Sequence, residues 1–284
     1  NKFALFGFIK NQREIRLSVD LDFKRSCRLD RRLVFRVFGA FRYFHCNHGA
    51  NRKISKRANS LKEVFLGSTS RLGIALYTQN KISHSRIVMI DSRESIKKIL
   101  AILARIEQPV RLHYFPFSKK EKEINYNKLN SLISKSKKIN QLITYGSVHE
   151  VSDIKGLYLD EKRKIVKLKT AQKNITHIHF RMHTLYGSPQ PIPKMFLSDL
   201  IESIRLKVDF EMSQGNQLRE YQSYDQVSRI IWYILLKRKT RLKKNKIVIS
   251  SGNPCALKDL ATLIFSGLKW EKKIIYTHNQ KDSI

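Results

Sequence analysis

Short apolar runs alternate with amphipathic stretches along the chain from residue 61 onward. Residues 64–66, 87–90 and 110–117 are mostly apolar, and residues 72–76 and 95–106 place apolar side chains at the spacing of one helix face. Because short apolar runs of this kind are typical of buried strands, this part of the chain predicts alternating strands and helices.

The alternation continues through the C-terminal part of the chain. Further strands are predicted at 139–145, 178–180 and 247–249, and further helices at 129–133, 195–206, 225–236 and 257–265. Strands that alternate with helices favour a parallel sheet covered by helices on both faces. The sequence therefore predicts an α/β fold of the Rossmann-like kind.

Residues 1–60 lack such a period and carry fifteen Lys or Arg against four Asp or Glu. We interpret them as a basic N-terminal extension that packs partly on its neighbour or on a partner. The whole chain has a formal net charge of +33, which is enough to attract polyanions such as RNA. Compositional drift toward Lys, Asn and Ile is the alternative explanation, because the excess is spread along the entire chain.

The cysteines Cys27, Cys46 and Cys255 are odd in number and lack paired spacing, so we expect a reducing compartment and no disulfide framework. That compartment is the cytoplasm or an organelle interior such as the mitochondrial matrix. His45 and His48 flank Cys46 too closely for a zinc site, so no metal is predicted. No apolar run is long enough to span a membrane.

A glycine-bearing turn follows the first predicted strand of the sheet. Gly67 and Gly73 stand where a dinucleotide-binding turn keeps two of its three glycines, and Asp91 ends the next strand, where a carboxylate binds ribose hydroxyls. We therefore predict contact with NAD at Gly67, Ser70, Leu72, Gly73 and Asp91. The alternative is an ordinary turn followed by a carboxylate that caps the end of a strand.

Several C-terminal motifs follow in order: Arg-Met-His-Thr-Leu-Tyr-Gly at 181–187, Met-Ser-Gln-Gly at 212–215, Gln-Leu-Arg-Glu-Tyr at 217–221 and Ser-Gly-Asn-Pro at 251–254. In order and spacing they resemble the extended short-chain dehydrogenase/reductase family of NAD-dependent epimerases and dehydratases, over roughly residues 61–270. The resemblance implies a shortened Rossmann-like nucleotide-binding domain at 61–176. It also implies that 177–284 complete the sheet and form a small substrate subdomain.

Residue roles follow from the resemblance where the motifs match. Arg219 corresponds to the arginine that contacts the nucleotide diphosphate, and Tyr221 completes the same substrate-binding motif. Residues 143–147 resemble the strand with the catalytic hydroxyl, here Ser147. The alternative for Arg219 is a surface ion pair with Glu220 or Asp225.

Three departures from the family put its chemistry in doubt. Ser70 replaces the middle glycine of the turn, and the segment between Asp91 and residue 110 is too short for the strand and helix that flank the adenine. Tyr158 and Lys162 keep the catalytic Tyr-x-x-x-Lys spacing but lie unusually close to Ser147. The alternative for this pair is a surface loop with a solvated lysine.

Two functions follow from these observations. The first is an NAD-dependent epimerase or dehydratase acting on a nucleotide sugar, with impaired catalysis. The second is a catalytically inactive scaffold of the same fold, an RNA-associated subunit of an organellar ribosome or of another large assembly.

Overall fold

The computed structural model describes residues 10–11, 14–18, 61–79, 84–115, 124–152, 157–168, 175–187, 195–237, 246–268 and 270–277. The strands are β1 Lys10–Asn11, β2 Glu14–Ser18, β3 Lys62–Leu66, β4 Ile87–Ile90, β5 Val110–Tyr114, β6 Ile139–Ser147, β7 Thr176–Met182, β8 Thr184–Tyr186, β9 Phe210–Met212, β10 Leu218–Arg219, β11 Tyr221–Ser223, β12 Lys246–Ser250, β13 Cys255–Ala256 and β14 Ile274–Tyr276. The α-helices are α1 Arg71–Thr78, α2 Ile96–Ala104, α3 Ile124–Lys135, α4 Leu157–Val166, α5 Phe196–Leu206, α6 Tyr224–Lys237 and α7 Leu257–Leu268.

The main sheet has the strand order β1-β2-β12-β7-β6-β5-β3-β4. Every neighbouring pair is parallel except β1 with β2. Two short strands of the N-terminal segment thus continue the sheet beyond β12. The predicted α/β class with a Rossmann-like parallel sheet is confirmed, and its carboxyl edge collects the ends of β3, β4, β5, β6, β7 and β12.

Each face of the sheet is covered by its own helices. Apolar residues of α1 and α6 pack on one face, where Trp232 is fully buried and donates its indole hydrogen to the carbonyl of Leu76 at 2.8 Å. Residues of α2, α3 and α4 pack on the other face. Because both faces are buried, strands such as β5 are buried along their whole length.

The sheet is shortened at its β4 edge. Helix α2 leads directly from β4 to β5, and residues 91–109 contain no further strand. The segment between Asp91 and residue 110 thus contains a single helix.

A buried polar network crosses the α1–α6 face of the sheet. Glu63, Arg111 and His113 are each at most 4% exposed, and the two Glu63 oxygens lie 2.8 Å from Arg111 Nη1 and His113 Nε2. Tyr145 Oη lies 2.6 Å from His113 Nδ1. Burial lowers the pKa of His113 and raises that of Tyr145 well above its ordinary value, which favours the neutral form of both.

A third apolar cluster forms the C-terminal subdomain from α5, α7 and the short strands between them. Strands β9 and β14 are parallel, and β10 pairs antiparallel with β13. The sequence pattern did not predict these two- and three-residue strands, because they are too short to carry a period. They place Arg219 beside the carboxyl edge of the main sheet.

One alternative drawn from the sequence is wrong. Tyr158 and Lys162, for which a surface loop with a solvated lysine was the alternative, belong to helix α4. Lys162 is 7% exposed and is therefore not a solvated lysine. Helix α4 packs on the sheet through Ile165, which is buried among the residues of α3 and β6.

Candidate functional site

The turn between β3 and α1 requires glycine at both predicted positions. Gly67 has φ of +85°, and a Cβ on it would lie 2.6 Å from the carbonyl oxygen of Phe115. A Cβ on Gly73 would lie 2.9 Å from the carbonyl oxygen of Ser68. The first glycine thus allows the chain to turn against β5, and the second allows α1 to approach the turn closely.

Ser70 takes part in this turn through its own side chain. It is the N-cap residue of α1, and its Oγ accepts a hydrogen bond from the Gly73 amide at 3.0 Å. A pyrophosphate would have to compete with that hydroxyl for this amide. Leu72 is 8% exposed and packs in the core, so only its backbone can face a ligand.

Asp91 lies beside the same turn, because the amides of Gly67 and Ser68 both donate to the carbonyl of Ile90. Its carboxylate accepts the backbone amide of Arg93 at 2.8 Å and the Arg93 guanidinium at 2.5 Å from Nη2. These bonds lower the pKa of Asp91 to about 2. Asp91 is thus ionised, and the Arg93 guanidinium binds both of its carboxylate oxygens.

Ser147 ends β6 and begins a short 3-10 helix, Val148–Val151. Its Oγ accepts the amide of His149 at 3.3 Å, and its own amide donates to Glu150 Oε1 at 2.9 Å. This capping box fixes the backbone at the end of β6. The half-buried Ser147 hydroxyl therefore has a defined position at the carboxyl edge.

Glu150 is the centre of a buried network that sequence reasoning missed. It is 5% exposed, and its Oε2 lies 2.9 Å from His179 Nε2 and 3.2 Å from Arg181 Nε. The nearest signal in the sequence is Gly146, because a Cβ there would lie 1.8 Å from Glu150 Oε1. Only glycine at position 146 leaves room for the Glu150 carboxylate against the backbone of β6.

The network continues along β6 and β7. Thr144 Oγ1 lies 2.7 Å from both His179 Nδ1 and His177 Nε2. One assignment satisfies every pair: His177 donates to Thr144, Thr144 to His179 Nδ1, and His179 Nε2–H to Glu150. Burial lowers the pKa of both histidines, that of His177 to about 4, in agreement with neutral rings.

Lys162, on α4, lies close enough to this network for its charge to act on Glu150. Burial raises the pKa of Glu150, but the His179 hydrogen bond, the Ser147 amide and the Lys162 charge outweigh it, and the pKa lies below its ordinary value. The structure thus places Lys162 near Glu150, in the same region as Ser147. Tyr158 belongs to the first turn of α4, and its side chain lies outside the described residues.

Arg219 lines a cavity of about 180 Å³ beside the carboxyl edge of the sheet, together with His149, His183 and Glu220. Burial and the charge of Arg219 lower the pKa of His149, so the two side chains are close. The cavity therefore faces the residues that follow Ser147. Sequence reasoning named Arg219 but missed both histidines.

Tyr221 lies in a different environment. It is 8% exposed within the apolar cluster of the C-terminal subdomain, and burial raises its pKa to about 12. Its backbone belongs to β11, which pairs with β8. Tyr221 thus fixes the strand next to Arg219 from within the core.

Among the residues that the structure describes, no three His, Cys, Asp or Glu side chains come together as a metal site. Cys27, His45, Cys46 and His48 lie outside those residues. Within the same part of the chain, no helix combines the length and apolar character that crossing a membrane requires.

Comparison with known proteins identifies relatives by fold. No family model matches the sequence, and no curated protein does. Among solved structures, the GDP-mannoheptose C4 reductase from Campylobacter jejuni with NADP bound has a TM-score of 0.62 at 14% identity, covering 78% of this chain and 89% of its own. The UDP-N-acetylglucosamine 4-epimerase from Methanobrevibacter ruminantium M1, in complex with UDP-N-acetylmuramic acid, has a TM-score of 0.61 at 12% identity, covering 79% and 87%.

A third similar structure is MoeE5 in complex with UDP-glucose and NAD, with a TM-score of 0.57 at 13% identity and coverage of 76% and 85%. The chain thus has the fold of NAD-dependent epimerases and reductases. The resemblance inferred from the motifs is confirmed at the level of the fold.

Proposed function

We propose that this protein is an NAD-dependent epimerase or dehydratase that acts on a nucleotide sugar at the carboxyl edge of the sheet. The observation that supports it is the convergence of the Gly67 turn, Ser147, Lys162 and Arg219 at that edge. In open α/β sheets, ligands bind outside the carboxyl ends of the strands.

The backbone of the Gly67 turn suits a dinucleotide, whereas the side chains of Ser70 and Arg93 compete with it. Gly67 and Gly73 keep the tight turn and the close approach of α1 that a dinucleotide-binding turn needs, and Asp91, beside that turn, would bind the ribose hydroxyls. The backbone at Ser70 and Leu72 completes the phosphate-binding turn. A nicotinamide bound here supplies the hydride acceptor and donor.

The remaining roles belong to the residues of β6, α4 and β10. Ser147 and Tyr158 polarise the sugar hydroxyl that is oxidised, and Lys162, four residues after Tyr158 in the chain, tunes the tyrosine. Arg219 binds the diphosphate with its forked guanidinium. Tyr221 supports Arg219 by packing its neighbouring strand into the subdomain core.

The first experiment tests the cofactor. The purified protein is denatured and the supernatant is analysed for released NAD, and thermal unfolding is recorded with and without millimolar NAD. A bound dinucleotide, or a rise of the unfolding temperature on adding it, supports the proposal, because a ligand of the folded state stabilises that state. Neither released NAD nor a shift contradicts it.

The second experiment tests the diphosphate site. Arg219→Gln should weaken UDP-glucose binding about tenfold or more, measured by calorimetry in the presence of NAD, because a charged bidentate contact is lost. Arg105→Gln is the matched control, since Arg105 is exposed at the end of α2, at the opposite edge of the sheet. Equal effects of both substitutions would contradict the assignment.

A second function is favoured by the net charge of +33. In this proposal the fold is a catalytically inactive scaffold, an RNA-associated subunit of an organellar ribosome or another assembly. The Ser70 hydroxyl on the Gly73 amide and the Arg93 guanidinium on Asp91 both work against cofactor binding.

Sedimentation of a cell extract with and without ribonuclease distinguishes the two proposed functions. A large particle that ribonuclease disperses supports the scaffold, and a free protein in both samples supports the enzyme.

A further inference from the structure

A row of cationic side chains lies along the amino edge of the main sheet, opposite the candidate site. The strands β3, β5, β6 and β7 begin next to one another at this edge. The cations come from the first residue of β3 and from the segments that lead out of α2, α3 and α4 toward the next strands. This amino-edge surface consists of Lys62, Arg105, Lys135, Lys137, Lys138 and Lys167, together with Glu107.

Backbone hydrogen bonds hold these segments side by side. The Lys62 amide donates to the carbonyl of Pro109 at 2.9 Å, and the Val110 amide donates to the carbonyl of Lys138 at 2.8 Å. The Lys138 ammonium group also donates to the carbonyl of Glu107 at 3.5 Å. Because neighbouring strands lie about 4.8 Å apart, the starts of four strands span roughly 14 Å. The amino-edge surface is therefore continuous.

Acidic side chains do not neutralise this surface. Four of its cations are exposed and belong to none of the ion pairs among the described residues: Arg105, Lys135, Lys137 and Lys167. By contrast, the exposed cations Lys98 and Arg205 pair with Glu94 and Glu202. Within the described segments that form the surface, Glu107 is the one acidic side chain, so six cations face a single carboxylate.

Helix ends account for only part of this positive charge. Each helix C-terminus carries roughly half a negative charge, so α2, α3 and α4 together present about −1.5. The amino-edge surface has five more cations than acids. Lys62 and Lys137 also lie outside the last turn of any helix in the described chain. A surplus of about three positive charges is therefore left for a partner.

Phosphates of a nucleic acid fit this surface better than a bilayer or an apolar protein face. One strand of a duplex presents a phosphate about every 3.4 Å, so roughly four phosphates span the amino edge. None of the exposed large apolar residues of the described chain belongs to the segments that form this surface, so they offer no apolar anchor. Resting on the second proposed function, we infer that the amino-edge surface binds the phosphate backbone of RNA, independently of base sequence.

Fluorescence anisotropy of a labelled oligouridine strand, titrated with the whole protein at a series of salt concentrations, tests this inference. The triple variant Lys135→Gln, Lys137→Gln, Lys167→Gln should bind the strand at least about tenfold more weakly. Its slope of log affinity against log salt should be shallower by about 2, because three fewer phosphates are neutralised and fewer counterions are released.

The matched control is the triple variant Lys258→Gln, Lys272→Gln, Lys273→Gln. These lysines are also exposed and lie in the C-terminal subdomain, and their replacement lowers the net charge by the same amount. Attraction by the overall field of the protein would weaken both variants alike, whereas binding at the amino edge leaves the control within about twofold of the unmodified protein. Thermal unfolding of both variants checks that the fold is retained.

Equal losses in the two variants, or no loss in either, would overturn the amino-edge assignment and leave the second proposed function standing. Failure of the unmodified protein to bind oligouridine would overturn both. Vesicles that contain phosphatidylglycerol are titrated in the same way. Binding to these vesicles through the three lysines, without binding of oligouridine, would identify an anionic membrane as the partner and overturn the inference.

Discussion

The Arg93 side chain binds the carboxylate of Asp91, which in the proposed function would bind a ribose. Its guanidinium and backbone amide together bind both carboxylate oxygens, and the side chain of Arg93 is 71% exposed. An exposed ion pair is weak, so a ligand can displace it at modest cost. In the proposed function, the pair would therefore reduce the affinity for NAD without closing the site.

Replacing Arg93 by alanine should strengthen NAD binding several-fold, because Asp91 Oδ2 then loses its guanidinium partner and becomes available to the ribose hydroxyls, while the backbone amide of residue 93 keeps its bond to Oδ1. Calorimetry with NAD measures the change. Arg105→Ala, which removes an exposed arginine at the far edge of the sheet, is the control and should leave the affinity unaltered. Weaker NAD binding in Arg93→Ala would mean that Arg93 itself contacts the cofactor.

Gly67 and Gly187 illustrate two different reasons why a position requires glycine: backbone conformation and lack of space for a side chain. Both have positive φ, of +85° and +82°, but a Cβ on Gly67 meets the Phe115 carbonyl at 2.6 Å, whereas no atom of the described residues lies within 4 Å of a Cβ on Gly187. Gly187→Ala should cost about 1 kcal/mol of stability from backbone strain alone, and Gly67→Ala about 2 to 4 kcal/mol from strain plus contact. Chemical denaturation measures both, and equal losses would exclude the contact.

At the scale of elements, β6 and β7 are joined by side chains as well as by their backbones. Thr144 connects His177 with His179 inside the sheet layer, and Glu150 receives the end of that chain. A buried network of this kind is costly to break, since each remaining polar group loses its partner in a dry environment.

Thr144→Val preserves the shape of the side chain and removes its hydroxyl. We expect a loss of about 1 to 3 kcal/mol, because both histidines lose a hydrogen-bond partner. Thr176→Val, at an exposed position of β7, is the matched control and should change stability little. Equal stability of Thr144→Val and the unmodified protein in urea denaturation would contradict the network.

His177 should make the stability depend on pH in a defined window. Burial lowers its pKa in the folded protein from 6.5 to about 4, so the unfolded chain binds a proton more readily. Its contribution is fully present above pH 6.5 and is lost progressively as the pH falls toward 4, by about 3 kcal/mol in total. Denaturation of His177→Gln at a series of pH values should show a flatter profile over this window, and an unchanged profile would exclude His177 as the cause.

At the scale of the whole molecule, the most prominent feature is the positive net charge. A net charge of +33 predicts retention on heparin at low salt and release as salt rises, whether or not RNA is a biological partner. A column elution profile measures this. Weak retention at low ionic strength would mean that a bound polyanion already neutralises this charge.

How much the sequence predicts differs between the sheet and the site. The strands β3 to β7 and β12 were predicted because buried parallel strands contain apolar runs, such as Ile247 to Ile249 in β12. The Gly67 turn was predicted because backbone geometry restricts the residue type there, and Asp91 because it ends the next strand. Glu150, His149 and His183 carry no such restriction, and α4 was ambiguous because its polar surface masks its buried positions at Lys162 and Ile165.

The sequence by itself determined the alternation of strands and helices, the positions of the glycines and the excess of positive charge. These are local properties, because period, φ preference and composition are set by neighbouring residues. Only the tertiary structure decided that the Glu150 carboxylate reaches His179, and that Val148, Arg181 and Glu220 line one cavity. These residues are far apart in the chain, and they become neighbours only when parallel strands bring their carboxyl ends to one edge.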